Sequence, residues 1–359
     1  MRRVSNPPNP WLSEHHEWLE PPPPVEIEVF EEPARSILSE NDSPDIPFRW
    51  SVNPYRGCQH ACAYCYARPY HEYLGLGAGT DFDSKIVVKT NAAELLREAF
   101  GRRGWRGEQV NFSGVTDCYQ PLEAVYRLTR RCLEVCVEFA NPAVVVTKSY
   151  LVLRDADVLA ELNRVAGAGV YQSITFADDA VARRIEPHAP SPSRRLEAMR
   201  ALTAAGVPVG VMVAPIIPGL NDRDIPTILR RAAEAGARWA GYVALRLAGS
   251  VEPVFLERLR AELPDRAARV EARIREMRGG RLNDARFGAR MRGTGRYWES
   301  IARLFAMWRR RCGLEGPVEG RAQPVRPEAP LGAGRRESIR PARKPAAAGG
   351  GQLGFEFAS

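Results

Sequence analysis

Three cysteines lie close together near the amino-terminal end of the chain, in the stretch RGCQHACAYCYARPY. Cys58, Cys62 and Cys65 are spaced C-x3-C-x2-C, and no fourth cysteine stands beside them. Three thiolates can fill three corners of a metal centre. One hypothesis is a structural zinc site that His60 or His71 completes. The other is an iron-sulfur cluster in which one iron keeps an open coordination position for a small molecule.

Composition favours a reducing environment for these thiols. The 359 residues include seven cysteines, an odd number, and the first residues contain proline, asparagine and glutamate where a secretory signal needs an apolar segment. We therefore expect a cytoplasmic protein whose clustered cysteines bind metal or do chemistry rather than form disulfides. No apolar stretch approaches the roughly eighteen residues of a membrane helix, so we expect no membrane association.

The middle of the chain alternates between apolar and amphipathic segments. Strands are predicted at 48–53, 109–114, 143–148, 170–176, 207–215 and 239–247. Helices are predicted at 92–103, 122–139, 155–166, 193–205, 225–235 and 253–277. This alternation indicates an α/β fold with a parallel sheet that is either open or curled into a barrel. Ligands bind at the carboxyl ends of such strands, and the three cysteines follow the first strand.

The two ends of the chain differ in composition from the middle. Residues 1–45 contain four consecutive prolines and many acidic residues, and we expect a flexible leader there. Residues 46–277 should form the core, and the basic, aromatic residues 278–312 should pack on it. Residues 313–359 are rich in proline, glycine, alanine and arginine, which predicts a disordered tail.

The stretch NPYRGCQHACAYCYARPY resembles the signature loop of radical S-adenosylmethionine (SAM) enzymes. The segments TDCYQPLE, VVVTKS, EPHAPSPSRRLEAMRALTAAGVPVGVMVAPIIPGLND and RMRGTGRYW are similar to the branch that contains spore photoproduct lyase. The resemblance implies a partial (β/α)6 barrel with disordered terminal extensions. It also implies a 4Fe-4S cluster on Cys58, Cys62 and Cys65, with SAM at the open iron. SAM would there be cleaved reductively to a 5'-deoxyadenosyl radical that removes a hydrogen atom from the substrate.

The same resemblance assigns residues at the strand ends to SAM. Tyr64 would pack against the adenine, and Lys148 would bind the SAM carboxylate. The alternative for Lys148 is an ordinary surface charge, and for Ser173 it is a hydroxyl that only satisfies the backbone. The remaining contacts with SAM are assigned to Ser113, Asp117, Ser173 and the backbone at Ala214.

Cys118 and Tyr66 are the candidate catalytic residues. Members of the branch that repair the spore photoproduct use a cysteine near the end of the second strand as hydrogen donor. This chain has Gly114 and Val115 at about that position, and Cys118 a few residues later. Either the loop brings Cys118 into the site, or the protein catalyses another reaction. Tyr66 either reaches the substrate or packs, and Glu186 is a further candidate for the cleft.

The charge distribution bears on the partners. Residues 278–311 contain ten arginines and two acidic residues, which accounts for the formal net charge of +8. Tyr297, Trp298 and Trp308 lie among these arginines, so we expect an amphipathic helix whose basic face binds nucleic acid. The alternative is a solvated basic face. The sequence QLGFEF from Gln352 to Phe357 loosely resembles the peptide that docks on the bacterial sliding clamp.

These observations predict a lyase-like radical SAM enzyme that acts on DNA or RNA. An external reductant such as flavodoxin or ferredoxin would supply the electron. One alternative is a non-catalytic zinc or iron-sulfur module that binds nucleic acid. Another is a radical enzyme that acts on a peptide or a metabolite.

Overall fold

The computed structural model describes residues 26–316. The predictions for residues 1–25 and 317–359, including the clamp-like peptide from Gln352 to Phe357, therefore lie outside the described residues. Within the described part of the chain, no helix is both long enough and apolar enough to span a bilayer.

The strands form two sheets. In chain order they are β1 (Glu28–Glu32), β2 (Leu38–Glu40), β3 (Trp50–Val52), β4 (Tyr55–Arg56), β5 (Lys85–Lys89), β6 (Val110–Phe112), β7 (Ala143–Thr147), β8 (Ala168–Ser173), β9 (Val209–Ile216) and β10 (Trp239–Ala244). The main sheet has the order β10-β9-β8-β7-β6-β3-β2, and a small sheet has the order β1-β5-β4. All pairings from β3 to β10 in the main sheet are parallel, and β2 pairs antiparallel with β3 at its edge.

The helices lie between and after these strands. They are α1 (Thr80–Ser84), α2 (Ala92–Gly101), α3 (Glu123–Tyr126), α4 (Leu128–Glu138), α5 (Ala156–Val165), α6 (Asp179–Ile185), α7 (Pro192–Ala204), α8 (Ile225–Glu234), α9 (Val251–Glu262), α10 (Pro264–Met277) and α11 (Gly295–Arg311). The six predicted strands are all present, in one parallel sheet. All residues of β8 are buried, as expected of a strand that is covered on both faces in a parallel sheet. The predicted α/β fold with six parallel strands is therefore confirmed.

Two predicted helices are each divided in two. The segment 122–139 breaks at Arg127, whose φ of 53° is left-handed and ends α3. The segment 253–277 breaks at Pro264, which starts α10. Proline lacks the N–H that a continuous helix would need and disfavours helical backbone in the residue before it.

The prediction of a flexible leader up to residue 45 is wrong for its second half. β1 pairs in parallel with β5 from Glu28 to Glu32, and β2 forms the edge of the main sheet. Every residue of β1 is exposed, so the strand is held by backbone pairing and has no apolar periodicity to reveal it. At the other end of the fold, α11 buries Trp298, Ile301 and Phe305 in the main core, as its amphipathic pattern predicted.

Candidate functional site

The three clustered cysteines lie in the loop that follows β4. Cys58 and Cys62 are each 7% exposed, Cys65 is half-buried, and all three thiols are free of disulfides. The loop begins at Gly57, whose φ of +77° favours glycine. A Cβ there would also lie 3.0 Å from the Lys85 carbonyl oxygen. The backbone entering the first cysteine is therefore fixed by close packing.

The residues after β6 hold this cysteine loop through reciprocal hydrogen bonds. The Thr116 hydroxyl donates to the Gly57 carbonyl at 2.6 Å. The Gln59 N–H donates to Gln120 Oε1 at 3.1 Å, and the Leu122 N–H donates to Gln59 Oε1 at 2.9 Å. Gln120 Nε2 also donates to the Gly57 carbonyl, at 3.3 Å. The TDCYQPLE segment thus acts as a support for the metal-ligand loop.

Asp117 joins the cysteine loop to the end of β7. Its carboxylate accepts hydrogen bonds from the Thr147 hydroxyl at 2.7 Å and the Lys148 N–H at 2.8 Å, and lies 3.3 Å from His60 Nδ1. Burial raises the pKa of Asp117, but His60 and these hydrogen bonds outweigh burial and hold the pKa at about 2. Both carboxylate oxygens have protein partners. The structure therefore gives Asp117 a positioning role between the cysteine loop and the end of β7, and its contact with SAM stays a prediction.

The two histidines near the cysteines have other contacts. His60 faces Asp117, and His71 Nε2 donates to the Lys85 carbonyl at 2.9 Å. Burial lowers the pKa of His71 to about 4, so its ring is neutral. Across residues 26–316, no three or more His, Cys, Asp or Glu side chains converge closely enough to hold a single metal ion. His60 and His71 each have another partner, so neither stands ready to complete a Cys3His zinc site.

Tyr64, between the second and third cysteines, is fixed by a buried ion pair. Its hydroxyl donates to the Glu186 carboxylate, which also accepts from Arg195. Arg195 is fully buried and donates to the Ser173 carbonyl at 2.9 Å and the Pro190 carbonyl at 2.7 Å. Burial raises the pKa of Tyr64 well above its usual value, and the Glu186 charge raises it further, so the phenol keeps its proton.

Lys148 places a positive charge beside this tyrosine. Its Nζ lies 5.6 Å from the centroid of the Tyr64 ring, and no carboxylate of the described residues lies within ion-pair distance of it. Burial raises the pKa of Cys62 to about 12, and the Lys148 ammonium opposes that rise. Burial also raises the pKa of Cys65, against the lowering effects of Arg68 and Lys148. Lys148 is therefore an available cation on the thiol side of the loop, where it suits both thiolate ligands and a carboxylate.

The other residues assigned to SAM are at the strand ends, as predicted. Ser113 has a φ of 80°, and its Oγ accepts the Cys118 N–H at 3.0 Å. A non-glycine residue in this left-handed conformation is strained and is typical of functional sites. Ser173 is buried at the end of β8, and the Ala214 carbonyl accepts from the Thr175 hydroxyl at 3.1 Å. Their contacts with SAM stay predictions.

The two candidate catalytic residues differ in exposure. Cys118 is fully buried in the main core, where the hydroxyls of Ser113 and Thr129 lie against it. Tyr66 is 48% exposed and donates to the Gly114 carbonyl at 2.6 Å. Of the two, only Tyr66 presents its side chain at the surface of the site.

A match between the sequence and a family model identifies the kind of site that the cysteine loop forms. The model of the radical SAM superfamily matches residues 52–232, which include the three cysteines, Tyr64 and Lys148. The chain belongs to the radical SAM superfamily. The cofactors of a radical SAM protein are a 4Fe-4S cluster and SAM, and the three buried thiols with the nearby Lys148 ammonium fit both groups.

Several radical SAM relatives share part of the sequence. An uncharacterised protein of Mycobacterium tuberculosis is 40% identical over 213 residues, which are 59% of this chain and 63% of that protein. The radical SAM Nα-GlyT isomerase of Pseudomonas phage M6 is 25% identical over 58% of this chain and 42% of its own length. The chain thus spans less than two thirds of the length of these curated relatives.

Solved structures of spore photoproduct lyase have the same fold. One variant gives a TM-score of 0.58 at 15% identity and covers 84% of this chain and 87% of its own. Another, with bound SAM and a dinucleoside spore photoproduct, gives 0.56 at 18% identity and covers 79% and 78%. The predicted radical SAM barrel is confirmed.

Sequence reasoning missed the residues that support the site. Gln120 contacts the cysteine loop from a distant segment, Arg195 acts on it through Glu186, and neither residue carries a local signal of that role. Asn53 is a similar case, because its Oδ1 accepts the N–H groups of Gly114 and Val115 at 2.7 and 2.9 Å. The only available signal was the density of polar residues in NPYRGC and TDCYQPLE, between apolar strands.

Proposed function

We propose that this protein reductively cleaves SAM at a 4Fe-4S cluster and acts on a nucleic acid, in a reaction that takes no hydrogen from a protein thiol. The observation that carries the proposal is the Lys148 ammonium, which makes no ion pair with a described residue, lies 5.6 Å from the Tyr64 ring and acts on the Glu186 carboxylate only through its charge. When bound, the cluster supplies an electron to SAM, which yields methionine and a 5'-deoxyadenosyl radical that removes a hydrogen atom from the substrate.

The protein's own residues bind and orient these groups. Cys58, Cys62 and Cys65 would hold the cluster, and Lys148 would bind the SAM carboxylate as a charge-assisted hydrogen-bond donor. Tyr64 is 6% exposed and would offer its ring to the adenine. Because its hydroxyl is fixed by a buried carboxylate, the ring is oriented before SAM binds.

The surroundings of Gly114 support a reaction without a thiol donor. A Cβ at Gly114 would lie 3.2 Å from Asn53 Nδ2 and 3.3 Å from Ser51 Oγ, so the backbone is packed closely there. Cys118 lies in the core instead. Among residues 26–316, the other cysteines outside the ligand loop are buried in α4 or lie just after α11. A reaction in which no protein thiol replaces the hydrogen taken from the substrate is the chemistry that this arrangement favours.

Exposed arginines near the start of α11, and the exposed rings of Tyr66 and Tyr70 near the cysteine loop, support a nucleic-acid substrate. Arg292 and Arg296 are exposed near the start of α11. Arg290, in contrast, is bound to Asp45 at 2.6 Å and is only 15% exposed, so it serves the fold. Arginines that are free to reach phosphates, together with exposed aromatic rings, suit a nucleic acid. The solved lyase with a dinucleoside ligand has the same fold.

Anaerobic reconstitution tests the proposal. The protein should bind about four irons per chain and release 5'-deoxyadenosine with dithionite. Ultraviolet-damaged DNA or RNA should raise that yield and give a product visible by mass spectrometry. Colourless protein with one zinc would instead identify a non-catalytic module. Formation of 5'-deoxyadenosine that no nucleic acid stimulates would indicate a peptide or metabolite substrate.

Two partners remain proposals. Flavodoxin or ferredoxin should replace dithionite as the reductant in the same assay. Deletion of the residues from Gln352 to Phe357, which lie outside the described part of the chain, should weaken binding to the sliding clamp. Unchanged clamp affinity would contradict that proposal.

A further inference from the structure

An arginine at the rim of the site makes no ion pair with any residue that the structure describes. Arg246 follows the carboxyl end of β10, the end at which ligands bind in such sheets. Its Nε is buried and has no hydrogen-bond partner among the described residues. Its guanidinium otherwise approaches the Met291 sulfur, a weak acceptor, at 3.9 Å. A buried donor without an acceptor destabilises the protein unless a ligand accepts its hydrogen bond.

The nearest acidic group already has other partners. Asp45 accepts the Arg290 side chain at 2.6 Å and the Gly288 N–H at 2.7 Å. Burial lowers the pKa of Arg246, and the positive charge of Arg290 lowers it further. The negative charge of Asp45 raises the pKa of Arg246, but this effect is smaller than the lowering by burial and by Arg290. The charge of Arg246 is therefore incompletely balanced, and a bound anion would relieve the imbalance.

Two exposed aromatic side chains near the cluster ligands are electrostatic neighbours of Arg246. Tyr66 and Tyr70 lie within electrostatic range of its guanidinium, and they are 48% and 51% exposed. Tyr66 directly follows Cys65 and donates to the Gly114 carbonyl at 2.6 Å. An anion held by Arg246 would therefore lie beside aromatic rings and next to the ligand loop.

The backbone around Arg246 is held rigidly. Arg278 donates to the Leu245 carbonyl at 2.7 Å and to the carbonyls of Ala289 and Arg292 at 2.9 and 2.5 Å. The Ala244 N–H donates to the Met291 carbonyl at 3.2 Å. These contacts tie the strand end to the loop that covers it. Because the backbone is already fixed, Arg246 would lose little conformational entropy when it binds a ligand.

We propose that Arg246 binds a backbone phosphate of the nucleic-acid substrate next to the reacting nucleotide, with Tyr66 and Tyr70 against the adjacent bases. The inference rests on the proposed function and names a residue that fixes the substrate. A guanidinium binds phosphate through paired hydrogen bonds. A carboxylate would satisfy the same charge, but the exposed tyrosines beside Arg246 favour bases over an acidic peptide.

Binding of a labelled oligonucleotide to the reconstituted holoenzyme tests this assignment by fluorescence anisotropy at fixed salt. Arg246→Gln should weaken binding roughly tenfold or more, because a charge-assisted hydrogen bond is lost. Arg246→Lys, which keeps the charge, should weaken binding less. Arg200→Gln, which removes an exposed arginine on α7, is the matched control and should leave the affinity unchanged.

A second arm of the experiment locates the contacted phosphate on the oligonucleotide. Single phosphates of the oligonucleotide are replaced in turn by neutral methylphosphonates. One replacement should weaken binding to the wild-type protein roughly tenfold and should have no further effect on Arg246→Gln, because the two groups form one contact. Equal losses at every position in both proteins would overturn the assignment, since general attraction would then explain binding.

Two further results separate this inference from the proposed function. Wild-type protein that forms no 5'-deoxyadenosine with dithionite contradicts the proposed function and leaves the binding result to be judged by itself. Arg246→Gln that binds the oligonucleotide like the wild-type protein overturns this inference alone. If Arg246→Gln loses affinity for an acidic peptide and keeps it for the oligonucleotide, the anion is a carboxylate and the phosphate assignment is wrong.

Discussion

The Tyr64 hydroxyl donates a hydrogen bond to the Glu186 carboxylate, although 122 residues separate the two along the chain. Glu186 follows α6, and its ion-pair partner Arg195 is in α7. All three side chains are buried. The aromatic residue of the cysteine loop is therefore oriented by an ion pair from the opposite half of the sheet, which couples the cofactor site to the packing of α6 and α7.

Glu186→Gln should destabilise the protein strongly. The variant keeps the shape of the side chain but leaves Arg195 as an unpaired charge that is 0% exposed. Removing one partner of a buried ion pair lowers the free energy of unfolding by about 3 kcal/mol or more. Urea denaturation of the reduced, metal-free protein measures this loss. The matched control is Glu197→Gln, whose partner Arg194 is exposed, and it should change stability by less than about 1 kcal/mol. Equal effects of the two variants would refute the prediction.

The parallel sheet could be predicted from sequence because its signal is local. Strands such as β7 and β9 are apolar runs between amphipathic helices, so length and periodicity reveal them. The ligand cysteines could also be found, because their spacing lies within one loop. The role of Arg195 could not be predicted, because an arginine in a helix is expected at the surface. Its burial follows only from its ion pair with Glu186.

Cys118 shows a second limit of the sequence. Chain position placed its thiol near the expected hydrogen donor, but the turn at Ser113 directs the residue into the core. A shift of one or two residues in a loop decides whether a side chain faces the site or the core. Sequence spacing alone does not fix that choice.

Lys148→Met should weaken SAM binding while the cluster assembles normally. The side chain keeps its length and loses the charge that lies 5.6 Å from the Tyr64 ring. We expect a loss of affinity of roughly tenfold or more, because a charged donor to the carboxylate is removed. Isothermal titration of SAM into the reconstituted protein measures this change, and iron analysis should give the wild-type content. Lys85→Met is the control, because Lys85 pairs with Asp81 at 3.3 Å. If Lys148→Met binds SAM with wild-type affinity, Lys148 does not bind the SAM carboxylate.

Cys118→Ala should preserve the formation of 5'-deoxyadenosine. The thiol is fully buried in the main core, so its removal should lower the free energy of unfolding by about 1 kcal/mol and leave the chemistry intact. Tyr66→Phe is the informative comparison, because it removes the exposed hydroxyl that donates to the Gly114 carbonyl. We expect a lower yield of substrate product in Tyr66→Phe alone. Loss of product in Cys118→Ala, with stability retained, would restore Cys118 as the hydrogen donor.

His71 should make the stability of the protein depend on pH. Burial lowers its pKa from 6.5 to about 4, while its ring donates to the Lys85 carbonyl and packs at 5.4 Å from the Phe82 ring. Because the pKa is lower in the folded chain, the unfolded chain binds more protons between these two values. The free energy of unfolding should therefore be highest above pH 6.5 and should fall by about 3 kcal/mol as the pH decreases to 4.

His71→Gln tests the origin of that pH dependence. A glutamine amide can still donate to the Lys85 carbonyl but does not titrate, so its contribution to stability should be independent of pH. Urea denaturation of both metal-free proteins at several pH values between 4 and 7.5 gives the comparison. The difference in stability between wild type and variant should shrink or reverse as the pH falls. A difference that stays constant over this range would mean that His71 does not remain neutral in the folded protein.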